Sequence, residues 1–525
     1  MKKGILFSII FILFISLFSC NYKSEITTRT LMIYMNGSDL ESENKIASED
    51  LQELMSAKIP KGMTILVETG GTKKWHNKNI SENHNQIFEI KNGKLNLLKT
   101  MPKQSMGDSR TLSSFIDFSL NYKNSKENIL VLWNHGGGAI VGFGKDENFK
   151  SDTLLLDELK KGFKTAYEKT KKKLDLVVFD ACLMSSLETA NSIKDYSKYM
   201  VASEELVLGY GFDYKKIVGN FNNSNMENIG KVFVDTYYNE SKNKKKDNIV
   251  TMSFLDLGKV RKLYNNFNEK LKENDIYKNT SNLNNKMLNS IAFGGRTKEE
   301  GFSNMVDLSS LAENIFNKSD NKELAENIND VVLYNKNGYI NKDACGLSVY
   351  FPLNYNNKAI YELKLYHYLS LDNEYYKFLK NYIDNENIKK VSHLYDIKAV
   401  NGKNIIYEIK LNNEKKNKPF YLNKDILSVK KIYSKGKLNV YTAPIIYNGK
   451  EASLRFEQEL ATGKINIEGV IMSRGELNLS EKKVLNLKEN DEVQILNYEF
   501  LEDGEIKKIK GDVLKVTAGT LILQM

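Results

Sequence analysis

The chain has 525 residues, 41% of them hydrophobic, and its 76 Lys+Arg against 66 Asp+Glu give a formal net charge of +10. That length exceeds one ordinary domain and that apolar content supplies real cores, so two or three folded units are expected and a disordered or fibrous chain is excluded. The basic residues fall in short runs such as Lys171 to Lys173 and Lys244 to Lys246, with no Arg-rich stripe, zinc-ligand spacing or aromatic stacking motif, which reads as solvated surface and argues against a nucleic-acid partner.

At the N-terminus, Lys2 and Lys3 precede an apolar run from Ile5 to Phe18. The run falls short of the roughly 20 residues of a membrane span and fits a signal-peptide core. "LFSC" (Leu17 to Cys20) resembles the bacterial lipoprotein box, which makes residues 1–19 a leader and Cys20 a lipidated first residue. An ordinary signal peptide or an uncleaved anchor is the alternative. The expected place is the cell envelope or cell surface, with the membrane a partner through the lipid; without the lipid the protein is secreted. Besides Cys20 there are only Cys182 and Cys345, too few for a disulfide framework. They either pair once or have separate roles.

From residue 28 onward, short apolar runs alternate with amphipathic stretches. Strands are predicted at Thr30–Asn36, Met63–Thr69, Asn128–Asn134, Leu174–Asp180 and Tyr199–Ser203, with helices around Ser42–Ala57, Arg110–Tyr122, Leu154–Tyr167 and Ser185–Ile193. Such alternation implies an α/β unit, a mostly parallel sheet flanked by helices, spanning residues 28–385. A helical and loop region from Leu257 to Tyr339 precedes a further strand, "GLSVYFP" (Gly346 to Pro352), and a tail helix is expected over Ala359–Ile383. From 393 to 525 the pattern becomes short alternating runs such as "KLNVYTAPIIY" and "KINIEGVIM", separated by Asn-Gly and Ser-Lys-Gly turns. This predicts a separate C-terminal antiparallel β domain, whose role the sequence leaves open.

Two strand ends carry candidate chemistry. In an open parallel sheet ligands bind beyond the carboxyl ends of the strands. "LVLWNHGGG" places His135 there, with glycines that let the backbone approach a bound group and offer N–H donors. "LVVFDACLMSS" ends the next predicted strand at Asp180 and puts Cys182 at the start of a helix, where the N-terminus favours a thiolate. Taken singly, a strand-end His is more often a surface residue and a Cys more often core. Cys345 fits the core reading and receives no role. Residues two apart on a strand face one side, so Asp180 and Cys182 can address one substrate if extended geometry persists; Asp180 as a helix N-cap is the alternative.

Together, "WNHGGG" and "DACLMSSLE" resemble the His and Cys motifs of the clostripain family of cysteine peptidases, whose fold is caspase-like. "LMIYMNGSDLES", "VETGGTKKWHN", "MGDSRTLSSFIDF", "VASEELVLGYGFDY", "MVDLSSLA" and "GLSVYFP" stand in the order expected of that family, so the resemblance covers residues 28 to 385. It implies an endopeptidase acting on proteins or peptides, with Cys182 as nucleophile, His135 as general base and the N–H groups of Gly136 and Cys182 as oxyanion hole. It implies that Asp180 lies at the base of the pocket for the residue before the scissile bond, hence cleavage after Arg or Lys. It implies calcium dependence, for which no acidic cluster is matched. It also implies self-cleavage after the His motif, where Ala139 to Thr153 offers Lys145 and Lys150 and no Arg. Leu206, Val207 and Leu208 stand where more polar sequence is expected, so the outer pocket wall is predicted to differ. A non-catalytic surface-binding lipoprotein on the same scaffold is the competing reading, and a pocket for acidic residues is disfavoured by Asp180.

Overall fold

The computed structural model describes residues 29–221, 224–273, 290–294, 303–352 and 374–384, with scattered positions between 283 and 369. In the C-terminal part it describes 395–400, 406–411, 420–422, 425–427, 429–435, 437–472, 485–500, 506–517 and 523–524. The leader and Cys20 lie outside these residues.

In chain order the strands are β1 (Arg29–Asn36), β2 (Met63–Gly70), the hairpin β3 (His84–Lys91) and β4 (Lys94–Pro102), β5 (Glu127–Trp133), the hairpin β6 (Phe143–Asp146) and β7 (Asp152–Leu154), β8 (Leu174–Asp180), β9 (Ser197–Ala202), β10 (Thr251–Asp256), the short β11 (Ala292–Phe293) and β12 (Met305–Asp307), β13 (Val332–Asn337) and β14 (Ser348–Tyr350). Among the described residues, nine of them form one sheet in the order β13-β10-β9-β8-β5-β1-β2-β3-β4. The five central strands run parallel, while β3, β4, β10 and β13 add antiparallel edges.

Sequence dictates which strands are central. β1 and β8 are buried at every position, the signature of a parallel strand covered on both faces, whereas β4 alternates exposed and half-buried residues as an edge strand does. The chain passes from β1 to β2 on one side, then returns to β5 on the other. The carboxyl ends of β1 and β5 therefore flank a topological switch point, where such sheets bind ligands. Caps set the helix starts: Asp108 accepts from the Arg110 N–H to open helix Ser109–Tyr122, and Ser186 accepts from the Thr189 N–H to open Leu187–Ile193.

The expected strands are present within one or two residues. The helix expected over Ser42–Ala57 is instead two, Ser38–Ser42 and Ile46–Ser56, separated where Lys45 takes a left-handed φ of 61°. "GLSVYFP" contributes only β14, which pairs with β12 in a three-stranded sheet rather than joining the large one. Of the tail helix, the described part runs Glu374–Asp384.

The C-terminal region holds a separate antiparallel sheet, with strands Leu438–Tyr447 and Lys450–Glu459 at its centre and Ile465–Met472 at one end of the strand order. It has its own apolar cluster around Ala443, Ile445, Leu454, Phe456 and Val493. Val440 and Ile471 instead pack into the main core.

Candidate active site

β5 and β8 are parallel neighbours with Trp133 opposite Asp180, and the Asn134 N–H donates to the Asp180 carbonyl at 3.3 Å. Two residues past each strand end come His135 and Cys182. The structure brings these two loops into contact. A Cβ on Gly136 would lie 2.0 Å from the Cys182 carbonyl oxygen, so only glycine permits this approach. The Asn134 side chain reaches back to the Asn36 carbonyl and, at 3.0 Å, the Ser38 hydroxyl, which ties the end of β1 to the same site.

His135 is buried, with Nε2 3.2 Å from Asp39 Oδ1. The Lys145 ammonium stands 3.4 Å from that same oxygen. Sequence reasoning missed Asp39; "NGSDLES" follows the first strand, and its signal was an acidic residue just past a strand end. A carboxylate accepts only, so it selects the imidazole tautomer with the proton on Nε2. Nδ1, which has no hydrogen-bond partner among the described residues, is then left as a basic lone pair.

Cys182 does not sit at a helix N-terminus. The helix begins at Leu187 behind its Ser186 cap, and residues 181–186 form an irregular turn in which Leu183 adopts a φ of 63°. That is a strained conformation for a branched side chain, of the kind that clusters at functional sites. In place of a helix end, the Val207 N–H donates to Sγ at 3.3 Å, and the Val207 carbonyl lies 3.8 Å from it. The segment around Val207 is tied down by the Leu183 N–H on the Glu205 carbonyl and the Ser185 N–H on the Ser203 carbonyl. Leu206, Val207 and Leu208 are buried rather than lining an open outer wall, and the thiol beneath them is fully covered.

Asp180 is the last residue of β8 and caps no helix. Because the strand ends there, the alternation of faces does not extend to Cys182. Its buried carboxylate accepts from the Tyr214 hydroxyl at 2.8 Å, and a Cβ on Gly211 would lie 3.2 Å from both oxygens. Burial and then the charge of Asp180 push the Tyr214 phenol well above its ordinary value, so it remains a donor.

The two lysines of the following loop differ. Lys145 lies in β6 beside Asp39, its side chain 13% exposed, whereas Lys150 is exposed in the turn between β6 and β7 with a φ of 54°. Cys182 and Cys345 are both free thiols. Cys345 belongs to the one group among the described residues whose geometry could gather a metal ion, with Glu204 and Asp307. That group does not fit calcium, which requires six to eight oxygen ligands. It offers a thiol, and both Asp307 oxygens already accept backbone N–H groups, from Ser310 and Cys345.

A family profile described as the clostripain family matches residues 33–397. The chain belongs to the clostripain family of cysteine peptidases. It is 30% identical to clostripain of Hathewaya histolytica over 131 residues, 22% of this chain and 24% of that protein, so the match spans about a quarter of the curated relative. An inactive zymogen C11 protease from Parabacteroides distasonis superposes with a TM-score of 0.51 at 18% identity, covering 67% of this chain and 97% of that one. A secreted C11 cysteine protease from Bacteroides thetaiotaomicron, in complex with an irreversible peptide inhibitor, gives 0.49 at 16% identity over 66% and 99%. At these identities the likeness to the Parabacteroides protein shows a shared caspase-like fold and nothing finer. The clostripain-family match ends before the C-terminal antiparallel sheet.

Proposed function

We propose that this clostripain-family chain is an exported endopeptidase that hydrolyses peptide bonds after Arg or Lys through Cys182 and His135. The observation that carries the reading is the meeting of two adjacent strand ends. A buried His, its Nε2 beside Asp39 and its Nδ1 unengaged, shares a site with a thiol and with the buried Asp180 carboxylate.

The chemistry follows from these groups. His135 takes the thiol proton of Cys182, and the thiolate attacks the carbonyl carbon of the scissile bond. The Gly136 and Cys182 N–H groups receive the resulting oxyanion. The C–N bond breaks as His135 returns the proton to the leaving amine, and the thioester is then hydrolysed by water activated by the same imidazole. Asp180 attracts the cationic side chain before the cut, with Arg favoured because its planar fork can engage a carboxylate through two hydrogen bonds.

The Val207 N–H and carbonyl over the thiol support the reading of a closed precursor, which opens when the segment around Val207 moves. Self-cleavage falls after Lys150, the exposed lysine, and not after Lys145. Export follows from the leader, and membrane attachment from lipidation at Cys20; Cys20→Ser would release the protein from the membrane fraction, and full retention there refutes the anchor.

The decisive experiment measures hydrolysis of fluorogenic peptides with Arg, Lys, Asp or Leu before the scissile amide, by the wild type and Cys182→Ala. Cleavage after Arg and Lys that vanishes in Cys182→Ala is expected. Undiminished turnover in the variant removes Cys182 as nucleophile, and no turnover together with no labelling by a thiol-reactive peptide probe favours a non-catalytic binding protein.

A further inference from the structure

The C-terminal sheet lies on the same edge of the large sheet as the dyad. Lys246 and Asn248, just before β10, bond it: the Lys246 ammonium donates to the Glu468 carbonyl at 2.6 Å, and the Asn248 amide donates to Glu457 Oε2 at 3.3 Å. Because β10 runs antiparallel to β9, residues preceding it stand at the carboxyl end of β9. Val440 and Ile471 pack into the main core. At the other end of the same edge, past β1, a cavity of about 180 Å³ opens beside His135. Asp39, Leu40 and Glu43 line it from the peptidase side, and Tyr447, Lys450, Met472 and Leu485 from the C-terminal sheet. The sheet thus spans the catalytic edge from β10 to β1.

The hairpin that reaches the cavity is a built element. Asn448 and Gly449 join its strands with φ of 46° and 78°, the two positive values of a tight hairpin turn. Its tip is pinned to the neighbouring segment at Asp491 and Glu492. The Tyr447 hydroxyl donates to Asp491 at 2.5 Å, the Asn448 N–H to the Glu492 carbonyl at 2.9 Å, and the Glu492 N–H to Asn448 Oδ1 at 2.7 Å.

Strand order gives the cavity its place along a substrate. Past β9 comes Val207, past β8 Cys182, past β5 His135, and past β1 the cavity. The imidazole that protonates the leaving amine must stand on the amine side of the scissile bond, and the cavity lies on the far side of that imidazole from the thiol. It also lies at the switch point between β1 and β5.

We infer that the hairpin Tyr447–Lys450, with Met472 and Leu485, forms the wall of a subsite for the first substrate residue after the cut, and that this subsite takes an aliphatic side chain. The inference rests on the endopeptidase reading above. Leu40, Met472, Leu485 and the Tyr447 ring supply its apolar surface, while Asp39 and Glu43 repel an acidic side chain. Its volume suffices, since a cavity of roughly 150 Å³ admits a benzene-sized group.

The test uses the full chain and two internally quenched peptides with one acyl part ending in Arg, followed after the cut by Leu or by Asp. The readout is the ratio of kcat/KM between them, so a general loss of activity cancels. The wild type is expected to favour Leu by about tenfold or more, and Met472→Ala to narrow that ratio by about threefold or more. Lys450→Glu, at an exposed position that folding tolerates, is expected to widen it as a third carboxylate, beside Asp39 and Glu43, faces the Asp peptide. An unchanged ratio in both variants, or a wild type indifferent to Leu and Asp, overturns the subsite. Failure of the wild type to cut either peptide, or an Arg amide with no residue after the bond, refutes the endopeptidase reading instead.

Discussion

At the scale of single residues, the site depends on what surrounds His135. Asp39 holds Nε2 and Lys145 shares that carboxylate, so Asp39 acts on the chemical step by positioning the base. Asp39→Asn can donate to Nε2 and reverse the tautomer, and kcat is expected to fall by about tenfold or more. A positioning role lowers kcat while KM for an Arg substrate with an aliphatic residue after the cut changes little. A fall in rate accompanied by a matching rise in KM and a lowered urea midpoint would make Asp39 merely structural. Asp180→Asn is expected to lower kcat/KM for an Arg substrate by roughly thirtyfold to several thousandfold, from the 2 to 5 kcal/mol lost when one partner of a buried charge pair is removed. A Leu substrate should lose far less, and an equal loss on both would reassign Asp180 to holding Tyr214. Both residues illustrate the reach of sequence. Asp180 was legible as a strand-end carboxylate because the apolar run of β8 leads into it. Asp39 was not, because its partner is 96 positions away and an acidic residue past a strand end does not say which group it contacts.

At the scale of elements, the closed segment and the hairpin β6–β7 are where movement is expected. Lys150 and Ser151 both have positive φ in that turn, a conformation that favours glycine. If Lys150 is the maturation site, Lys150→Ala leaves one intact chain on a denaturing gel, whereas Lys145→Ala does not prevent cleavage; the reverse outcome refutes the assignment. Cys182 should react slowly with iodoacetamide in the uncleaved chain and faster after cleavage. Equal rates would mean that the Val207 cover opens freely. β2 carries a different prediction. Burial pushes the Glu68 carboxyl up to about 8, against smaller opposing effects of the Lys99 charge and the Asn85 amide. The folded chain therefore keeps a proton that the unfolded chain releases near the ordinary value of 4.5. Stability is full below that value and is lost as pH rises toward about 8. The urea midpoint should drop across this window, and Glu68→Gln should flatten the drop; an identical slope in the variant excludes Glu68 as its source. Sequence periodicity recovered the central strands because their apolar runs are continuous. It missed the hairpin β3–β4 and left β13 inside a helical and loop region, since polar edge strands such as "VLYNKN" need no such run. It also placed Cys182 on a helix, where the Ser186 cap fixes the start five residues later.

At the scale of the whole molecule, the sequence divided the chain by composition but could not say how its parts meet. The bonds from Lys246 and Asn248 to the C-terminal sheet link residues more than 200 positions apart, beyond any local pattern. Among the described residues no helix is long and apolar enough to cross a membrane. The arrangement of that sheet over the catalytic edge has a consequence for diet. On the proposed endopeptidase reading, a site lined by strand ends on one side and by the hairpin of that sheet on the other favours an extended segment over a folded surface. A tightly folded protein is then expected to survive beside the enzyme and to be consumed once melted, and equal cleavage of the folded and melted forms refutes this.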